Sequence, residues 1–195
     1  MDASKKILLS LFVIGLGLLV IFINAFYAKT MPSNIRSRAS TLVTPNAVSL
    51  TLVPNEATFQ VGDNFDVQIY VNTFGVSTSG VGARLLFEPR FLEVIDVTPG
   101  KIFSTYPAST FDNNTGTVYL SGIAFDLVSN KPQSLFIGTG MLGTVRFRTK
   151  RAVPSTQVRF DFTSGGKTTD SNVMDAKTAM YVLEKVYPAT FTITL

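Results

Sequence analysis

Short runs of alternating apolar and polar residues, each ended by a turn signal, fill the sequence from residue 47 to residue 195. In the clearest run, FDVQIYV at 65–71, the first, third, fifth and seventh residues are apolar. Because successive side chains of a strand point to opposite faces, this period of two predicts a half-buried β-strand. About eight or nine such runs follow one another, separated by Gly, Pro, Asn and Asp. The pattern predicts an all-β domain.

No stretch of this region is long and amphipathic enough for the helices that connect parallel strands, so we expect antiparallel strands in two packed sheets. The segment 173–186, VMDAKTAMYVLEKV, is compatible with either a helical turn or a late strand. Alternation predicts these core residues: Phe65, Val67, Ile69, Val71, Leu85, Phe87, Leu92, Val94, Val145, Phe147, Val158, Phe160, Phe191 and Ile193.

An uncharged apolar segment of 22 residues, 7–28, lies near the N-terminus between Lys6 and Lys29. As a helix rising about 1.5 Å per residue it would be about 33 Å long, enough to cross a bilayer. Cleavage after Ala28 would place Phe26 at position −3, which is a poor signal-peptidase site, so the sequence favours an uncleaved anchor over a cleaved signal peptide. Two lysines before the segment and one directly after it favour a cytoplasmic N-terminus.

We therefore expect three parts: an anchor or signal segment at 1–29, a linker at 30–46 that is rich in Ser, Thr, Asn and Pro, and a β domain at 47–195. The expected location is a single-pass membrane protein with its domain outside the cytoplasm, at the cell surface or in the periplasm. The membrane itself is thus one expected partner, through residues 7–28.

Composition excludes several classes of function. The formal net charge of +4 arises before residue 47, where five basic residues accompany one acidic residue, and the remainder is neutral with twelve of each. The domain therefore lacks the basic surface expected of a nucleic-acid-binding protein. Without Cys or His, thiol nucleophiles, Ser-His pairs and the usual transition-metal ligands are absent from the sequence.

The acidic residues stand mostly at turn positions. Asp112-Asn113-Asn114-Thr115-Gly116 could be imagined as a calcium loop, but it lacks the Gly at the sixth position and the distal Glu of an EF-hand, so we interpret it as a hairpin turn. Asn113-Asn114-Thr115 also matches the N-glycosylation acceptor. We expect no catalytic residue, no metal ligand and no cofactor, and therefore no enzyme.

Seven stretches follow one another in a specific order: VSLTLVP, VGDNFDVQIYVNT, VGARLLFEPRFLEVIDVTPGKIF, GTVYLSGIAF, GTGMLGTVRFRTK, DSNVMDA and FTITL. Their order and spacing resemble those of a cohesin module. The most recognisable stretch is the third, with an apolar run, Phe-Glu-Pro, Leu-Glu-Val and Pro-Gly. The resemblance covers residues 47–195.

The resemblance implies a nine-stranded jelly-roll sandwich that binds a dockerin through one sheet face, in complexes that assemble polysaccharide-degrading enzymes. Calcium in such a complex belongs to the dockerin. The chain differs from scaffold proteins in having one module and an anchor of its own. If the family's binding face is kept, the partner-binding candidates are Arg84, Tyr119, Ser121 and Asp126, together with the loop after Pro99.

Two other functions remain open. A carbohydrate-binding domain normally stacks sugars on a flat aromatic strip. The chain has no Trp, so Tyr70, Tyr106 and Tyr119 would have to be coplanar to serve this purpose. A structural envelope component without a separable ligand would assemble laterally through its sheet edges.

Overall fold

The computed structural model describes residues 47–164 and 169–195, and all regular secondary structure in these ranges is β-strand. The expected membrane segment (7–28) and linker (30–46) lie outside the described residues. Within the two described ranges, no helix is long and apolar enough to span a bilayer. The strands are β1 (Ser49–Val53), β2 (Glu56–Gln60), β3 (Asn64–Asn72), β4 (Thr78–Leu86), β5 (Leu92–Pro99), β6 (Thr105–Asp112), β7 (Thr117–Ile123), β8 (Phe125–Asp126), β9 (Lys131–Pro132), β10 (Thr139–Thr149), β11 (Val153–Phe160), β12 (Asn172–Asp175), β13 (Lys185–Tyr187) and β14 (Ala189–Thr194).

Two main sheets form the domain, as the sequence predicts. The first sheet has the strand order β13-β1-β3-β10-β5, and the second has the order β2-β14-β11-β4-β7-β6, with β12 also paired to β4. Strands β8 and β9 form a small separate hairpin. The fourteen segments exceed the nine strands expected, because several of them are short pieces of two to four residues. The segment 173–186 contains the end of β12 and the start of β13, and residues 176–184 between them form a turn and irregular structure, so the strand alternative is confirmed at the two ends of the segment only.

Two edge pairs are parallel, whereas the sequence predicts antiparallel pairing throughout. Pro54 separates β1 from β2 and Pro188 separates β13 from β14; at both points the chain passes from the first sheet to the second. Proline has no N–H to donate, so a ladder ends readily there. Since both crossings run in the same direction, β1 meets β13 in parallel, and β2 meets β14 in parallel.

The core lies between the two sheets. All fourteen residues predicted for it are buried, and none exposes more than 8% of its surface. In an aromatic cluster of this core the ring of Phe65 stacks on Phe59 with centroids 4.0 Å apart, and it contacts Phe147 and Phe191 at 5.6 and 5.0 Å. Such offset and edge contacts add to the free energy gained by burying the rings.

The turn at Asp112–Gly116 is a hairpin between β6 and β7, as predicted. The Asp112 carboxylate accepts hydrogen bonds from the Asn114 N–H and the Thr115 hydroxyl at 2.8 and 2.9 Å, and these donors lower the pKa of that carboxyl. The Asn113 amide pairs with the backbone of Val94, accepting from its N–H at 2.8 Å and donating to its carbonyl at 2.9 Å. The nitrogen that a glycan would modify is therefore already bonded within the fold.

The chain enters and leaves the sandwich at opposite ends. Ser49, at the start of β1, pairs with Asn72, and Asn72 also pairs with Thr139 at the start of β10. We call this the entry end. At the other end, Thr194 of the last strand pairs with Gln60.

Candidate binding face

One outer face differs in character from the rest of the sandwich. It is formed by the neighbouring strands β12, β4, β7 and β6 of the second sheet, and we call it the β4–β7 face. Inward-pointing Val81, Ala83 and Leu85 of β4 belong to the core, so the alternate residues of β4 point outward. The strand register then defines the rows across this face: Gly80 beside Ile123, Asn172 beside Gly82 and Ser121, and Arg84 beside Tyr119 and Thr110.

A groove of about 200 Å³ runs along this face. Its floor is formed by Gly80, Gly82 and Ser121, which have small side chains or none. Larger side chains surround the floor: Tyr119, Ile123, Asn172, Met174 and Tyr181. The groove is therefore lined by small, apolar and aromatic residues together with the polar groups of Ser79, Ser121, Asn172 and the two tyrosines. Tyrosine and methionine are among the residue types enriched in protein interfaces.

The two glycines of the floor are not required by the fold. A Cβ added to Gly80 would come no closer than 3.5 Å to Ile123, and one added to Gly82 no closer than 3.4 Å to Asn172, which are ordinary contacts. Neither glycine has a positive φ. By contrast, a Cβ on Gly122 would approach the Phe103 ring to 2.5 Å, and one on Gly143 would approach the Thr98 carbonyl to 2.7 Å. Packing explains those glycines, whereas the glycines of the groove keep space open on the outer surface.

Three of the four residues expected to bind a partner lie on this face. Tyr119 lines the groove and Ser121 forms part of its floor, where only 8% of Ser121 is exposed. Arg84 lies in the row of Tyr119, but its guanidinium is directed to the side, 3.5 Å from the Asp161 carboxylate and 3.1 Å from the Thr169 carbonyl. Arg84 thus stands beside the groove rather than in it.

The structure does not bring Asp126 to the β4–β7 face. Asp126 belongs to β8, and its carboxylate accepts hydrogen bonds from the N–H groups of Val128 and Ser129 and from the Ser129 hydroxyl. The Ser129 hydroxyl and the two N–H groups lower the pKa of Asp126. This carboxylate stabilises the β8–β9 turn.

The loop after Pro99 is also directed elsewhere. Gly100 donates a backbone hydrogen bond to the Leu142 carbonyl at 2.7 Å, and Phe103 is buried in the core. The side chain of Tyr106 follows these residues inward, and its burial raises the pKa of the phenol. This loop therefore packs Phe103 into the interior and leaves Lys101 exposed, and it does not extend the β4–β7 face.

The tyrosines do not form an aromatic strip. Tyr70 alternates with buried Ile69 and Val71 and points outward from the first sheet, whereas Tyr119 points outward from the second. The two rings lie on opposite outer faces of the sandwich, and Tyr106 packs its ring against Phe103 at 6.4 Å. They do not meet the condition of coplanarity on which sugar stacking depends.

The outer face of the first sheet is charged. Arg146 forms two hydrogen bonds with the Asp66 carboxylate at 2.8 and 3.1 Å, and Arg148 bonds Asn64 and Glu93 at 3.2 and 3.5 Å. The hydrogen bond from Arg146 holds the pKa of Asp66 below its ordinary value. These exposed side chains pair with one another, so this face leaves few unpaired charged groups for a partner to bind.

Sequence reasoning missed six of the groove residues named above, including Ile123, which has the same outward phase on β7 as Tyr119 and Ser121. Gly80 and Gly82 have the spacing of outward positions on a strand, and this signal was available in SGVGARLL. Met174 and Tyr181 belong to the segment 173–186, whose strand character was undecided, and Asn172 directly precedes it, so their place beside β4 could not be predicted from the sequence. Across 47–164 and 169–195, no cluster of acidic side chains could hold a metal ion.

The comparisons with known proteins agree with this architecture. The model of the cohesin domain family matches residues 48–186. A type I cohesin–dockerin complex from Clostridium thermocellum is similar in structure, with a TM-score of 0.58 at 14% identity over 75% of this chain and 93% of that chain. The seventh ScaB type I cohesin of Pseudobacteroides cellulosolvens gives a TM-score of 0.57 at 14% identity, covering 76% and 92%.

A third similar structure is the non-cellulosomal cohesin of the hyperthermophilic archaeon Archaeoglobus fulgidus, with a TM-score of 0.53 at 16% identity over 76% of this chain and 92% of that one. No curated protein matches the chain in sequence. Since the family model spans well over half of the chain, and the two-sheet fold is that of the solved cohesins, the chain belongs to the cohesin family.

Proposed function

We propose that this protein is a membrane-anchored binding module whose β4–β7 face takes a dockerin-like protein outside the cytoplasm. Binding rather than catalysis is the proposed activity, and assembly of polysaccharide-degrading enzymes is its proposed setting. The observation that carries the proposal is the groove floored by Gly80 and Gly82, because the fold itself leaves these two positions free to carry side chains.

Membership of the cohesin family supports a dockerin as the partner. The similar solved structures include cohesin–dockerin complexes from Clostridium thermocellum. At sequence identities of 10–14%, this similarity supports a shared fold and does not by itself support a shared partner. The groove adds a local reason. Tyr119 and Tyr181 beside it, and Ile123 and Met174 along it, are residue types that contribute binding energy when a partner excludes water from them.

The partner is tested by capture on the immobilised domain 47–195, with a panel of dockerins and a native surface extract, in calcium and in EDTA. Calcium-dependent capture of a dockerin-bearing protein is the expected result, because the metal belongs to the dockerin. Retention on insoluble polysaccharide, with no protein captured, would contradict the proposal and favour a carbohydrate-binding domain.

The binding face is tested by a matched pair of variants, Tyr119→Ala and Tyr70→Ala. Both tyrosines are half-buried on outward strand positions, one on each sheet. Truncating a tyrosine that a partner buries near the centre of an interface costs about 1–2 kcal/mol, so Tyr119→Ala is expected to raise Kd by about five- to thirtyfold while Tyr70→Ala leaves it unchanged. Equal effects of the two changes would place the partner elsewhere.

Anchoring is tested on the full chain. A chain that spans the membrane through residues 7–28 should stay with the membrane fraction in alkaline carbonate, and its domain should be cleaved by protease added from outside. The domain 47–195 alone is the control and should be released. Release of the full chain by carbonate would refute the anchor.

A further inference from the structure

We propose that the entry end of the domain docks on the lipid surface of the membrane, with apolar loop tips inserted among the headgroups. This inference rests on the membrane anchoring proposed above and is independent of dockerin binding. It concerns a part of the surface that the groove does not use.

The entry end carries a concentration of exposed apolar side chains. Among the described residues, twelve large hydrophobic side chains are exposed, and six of them lie on three connections at this end. These connections are 73–77, 124–138 and 176–180. The six residues are Phe74, Leu127, Val128, Leu135, Ile137 and Met180, and Val128 is 97% exposed.

Backbone hydrogen bonds join the three connections to one another. The Thr73 N–H donates to the Gly138 carbonyl, and the Gly138 N–H donates to the Thr73 hydroxyl, both at 2.9 Å. The Ala176 N–H donates to the carbonyl of Ser77 at 2.8 Å, which links the third connection to the first. The apolar side chains therefore belong to one continuous end of the molecule rather than to scattered loops.

Two of the tips are held in shape by carboxylates. Asp126 fixes the turn that presents Leu127 and Val128, and Asp175 fixes the next one through the Lys177 N–H and the Thr178 hydroxyl, both at 2.8 Å. The turn after Asp175 presents Met180. Val128 gains almost nothing from folding, because its side chain stays in water, and Met180 gains little, because 64% of it remains exposed.

Charge and connectivity favour a lipid surface as the occupant. Four exposed lysines belong to this end, Lys101, Lys131, Lys177 and Lys185, against three acidic residues, Asp126, Asp175 and Glu184. The difference, 4 − 3 = +1, is a small net positive charge, which is compatible with an interface of anionic headgroups. The described chain begins here at Ala47, and only 18 residues, 29–46, separate it from the apolar segment 7–28 in the sequence. A short tether keeps the local concentration of membrane high, so a weak contact suffices.

The chain contains no Trp, so one introduced tryptophan reports on its own position. Val128→Trp places it at the entry end. Val61→Trp is the matched control, because Val61 is also exposed, at 41%, but lies in the turn after β2 at the opposite end. Each full-length variant is reconstituted in vesicles of phosphatidylcholine and phosphatidylserine with brominated acyl chains, and flotation and tryptophan emission are measured.

A second arm does not need the anchor. The domain 47–195, which contains the whole described core, is attached through an N-terminal hexahistidine tag to nickel-chelating lipids in the same vesicles. Brominated chains should lower the emission of Val128→Trp by at least about twofold and leave Val61→Trp unchanged. Adding Ile137→Asp and Met180→Asp to Val128→Trp should abolish the quenching while the domain stays attached.

The outcomes separate the two proposals. If the full-length protein fails to float with the vesicles, the membrane anchor is refuted. The lipid contact is then tested by the quenching measured on the tagged domain alone. Equal emission of the two tryptophans in the tagged domain overturns the lipid contact, as does quenching that survives both aspartates. Concentration-dependent dimers through the entry end, without quenching, would assign it to a second copy instead. Dockerin capture should be unchanged by Val128→Trp.

Discussion

Replacing both groove glycines by alanine should stabilise the domain and weaken partner binding at once. Each added methyl group makes only ordinary contacts in the free protein, at 3.4 Å or more. Glycine costs a strand interior about 0.5–1 kcal/mol relative to alanine, so Gly80→Ala with Gly82→Ala should add about 1–2 kcal/mol to the free energy of unfolding. With a urea dependence of about 1–3 kcal/mol per molar, the unfolding midpoint should rise by about 0.3–2 M.

The same methyl groups occupy space that the partner needs. Each added methyl group keeps about one CH2-sized group of the partner from being buried in the groove, which costs about 0.8 kcal/mol of binding free energy. Two such groups should therefore raise Kd by about fifteenfold. The measurements are urea unfolding followed by tyrosine fluorescence, and calorimetric titration with the captured dockerin. Gly143→Ala is the control. Its added Cβ would overlap Leu120 and approach the Thr98 carbonyl to 2.7 Å, so it should lose about 1–3 kcal/mol of stability.

One result would refute the reasoning about the groove: a double variant that is folded and at least as stable as the parent, yet binds with unchanged Kd. A double variant that unfolds more easily than the parent would instead refute the argument that the fold leaves these two positions free. Because stability and affinity are expected to move in opposite directions, general damage to the domain cannot imitate the expected result.

Three further predictions concern the domain itself. Phe147→Ala removes a fully buried ring from the aromatic cluster of Phe59, Phe65 and Phe191 and should cost about 3–5 kcal/mol in urea unfolding; a loss below about 1 kcal/mol would contradict that packing. Asn113→Ala removes both side-chain bonds to the Val94 backbone and should cost about 1–3 kcal/mol, whereas an unchanged midpoint would show that water replaces them. Arg146 lowers the pKa of Asp66, so the pair stabilises the fold at neutral pH and loses this effect as the pH falls through the lowered pKa. In Arg146→Gln the carboxyl carbon of Asp66 should titrate at higher pH by NMR, and an unchanged titration would refute the pairing.

Local alternation was sufficient to predict the core. Positions such as Phe65 and Val67 repeat with a period of two, and a strand with one buried face leaves no other register for them. The parallel edge pairs could not be predicted in the same way. They depend on two crossings, at Pro54 and Pro188, that are far apart in sequence, and local patterns contain no information on which strands such crossings bring together.

The candidate site was predicted only where strand alternation determines it. The positions of Tyr119 and Ser121 can be predicted from the alternation of β7, in which they point outward. Asp126 lies beyond the end of β7, and its carboxylate accepts hydrogen bonds within the β8–β9 turn. Gly82 is a different kind of omission. Because a glycine has no side chain, the sequence gives no sign that it lines a binding groove. The structure does, because it shows that a Cβ would fit at Gly82 and that the fold does not require a glycine there.

The way the chain enters the sandwich also determines how the domain would carry mechanical load. A pull on the chain before Ala47, against a partner held on the β4–β7 face, acts along the axis of β1. That strand lies between two neighbours, antiparallel to β3 and parallel to β13. Force in this direction shears both ladders together instead of opening them one bond at a time. Since forced unfolding is governed by the unfolding rate, resistance to tension would reside in the five residues Ser49–Val53 and not in the average stability of the domain.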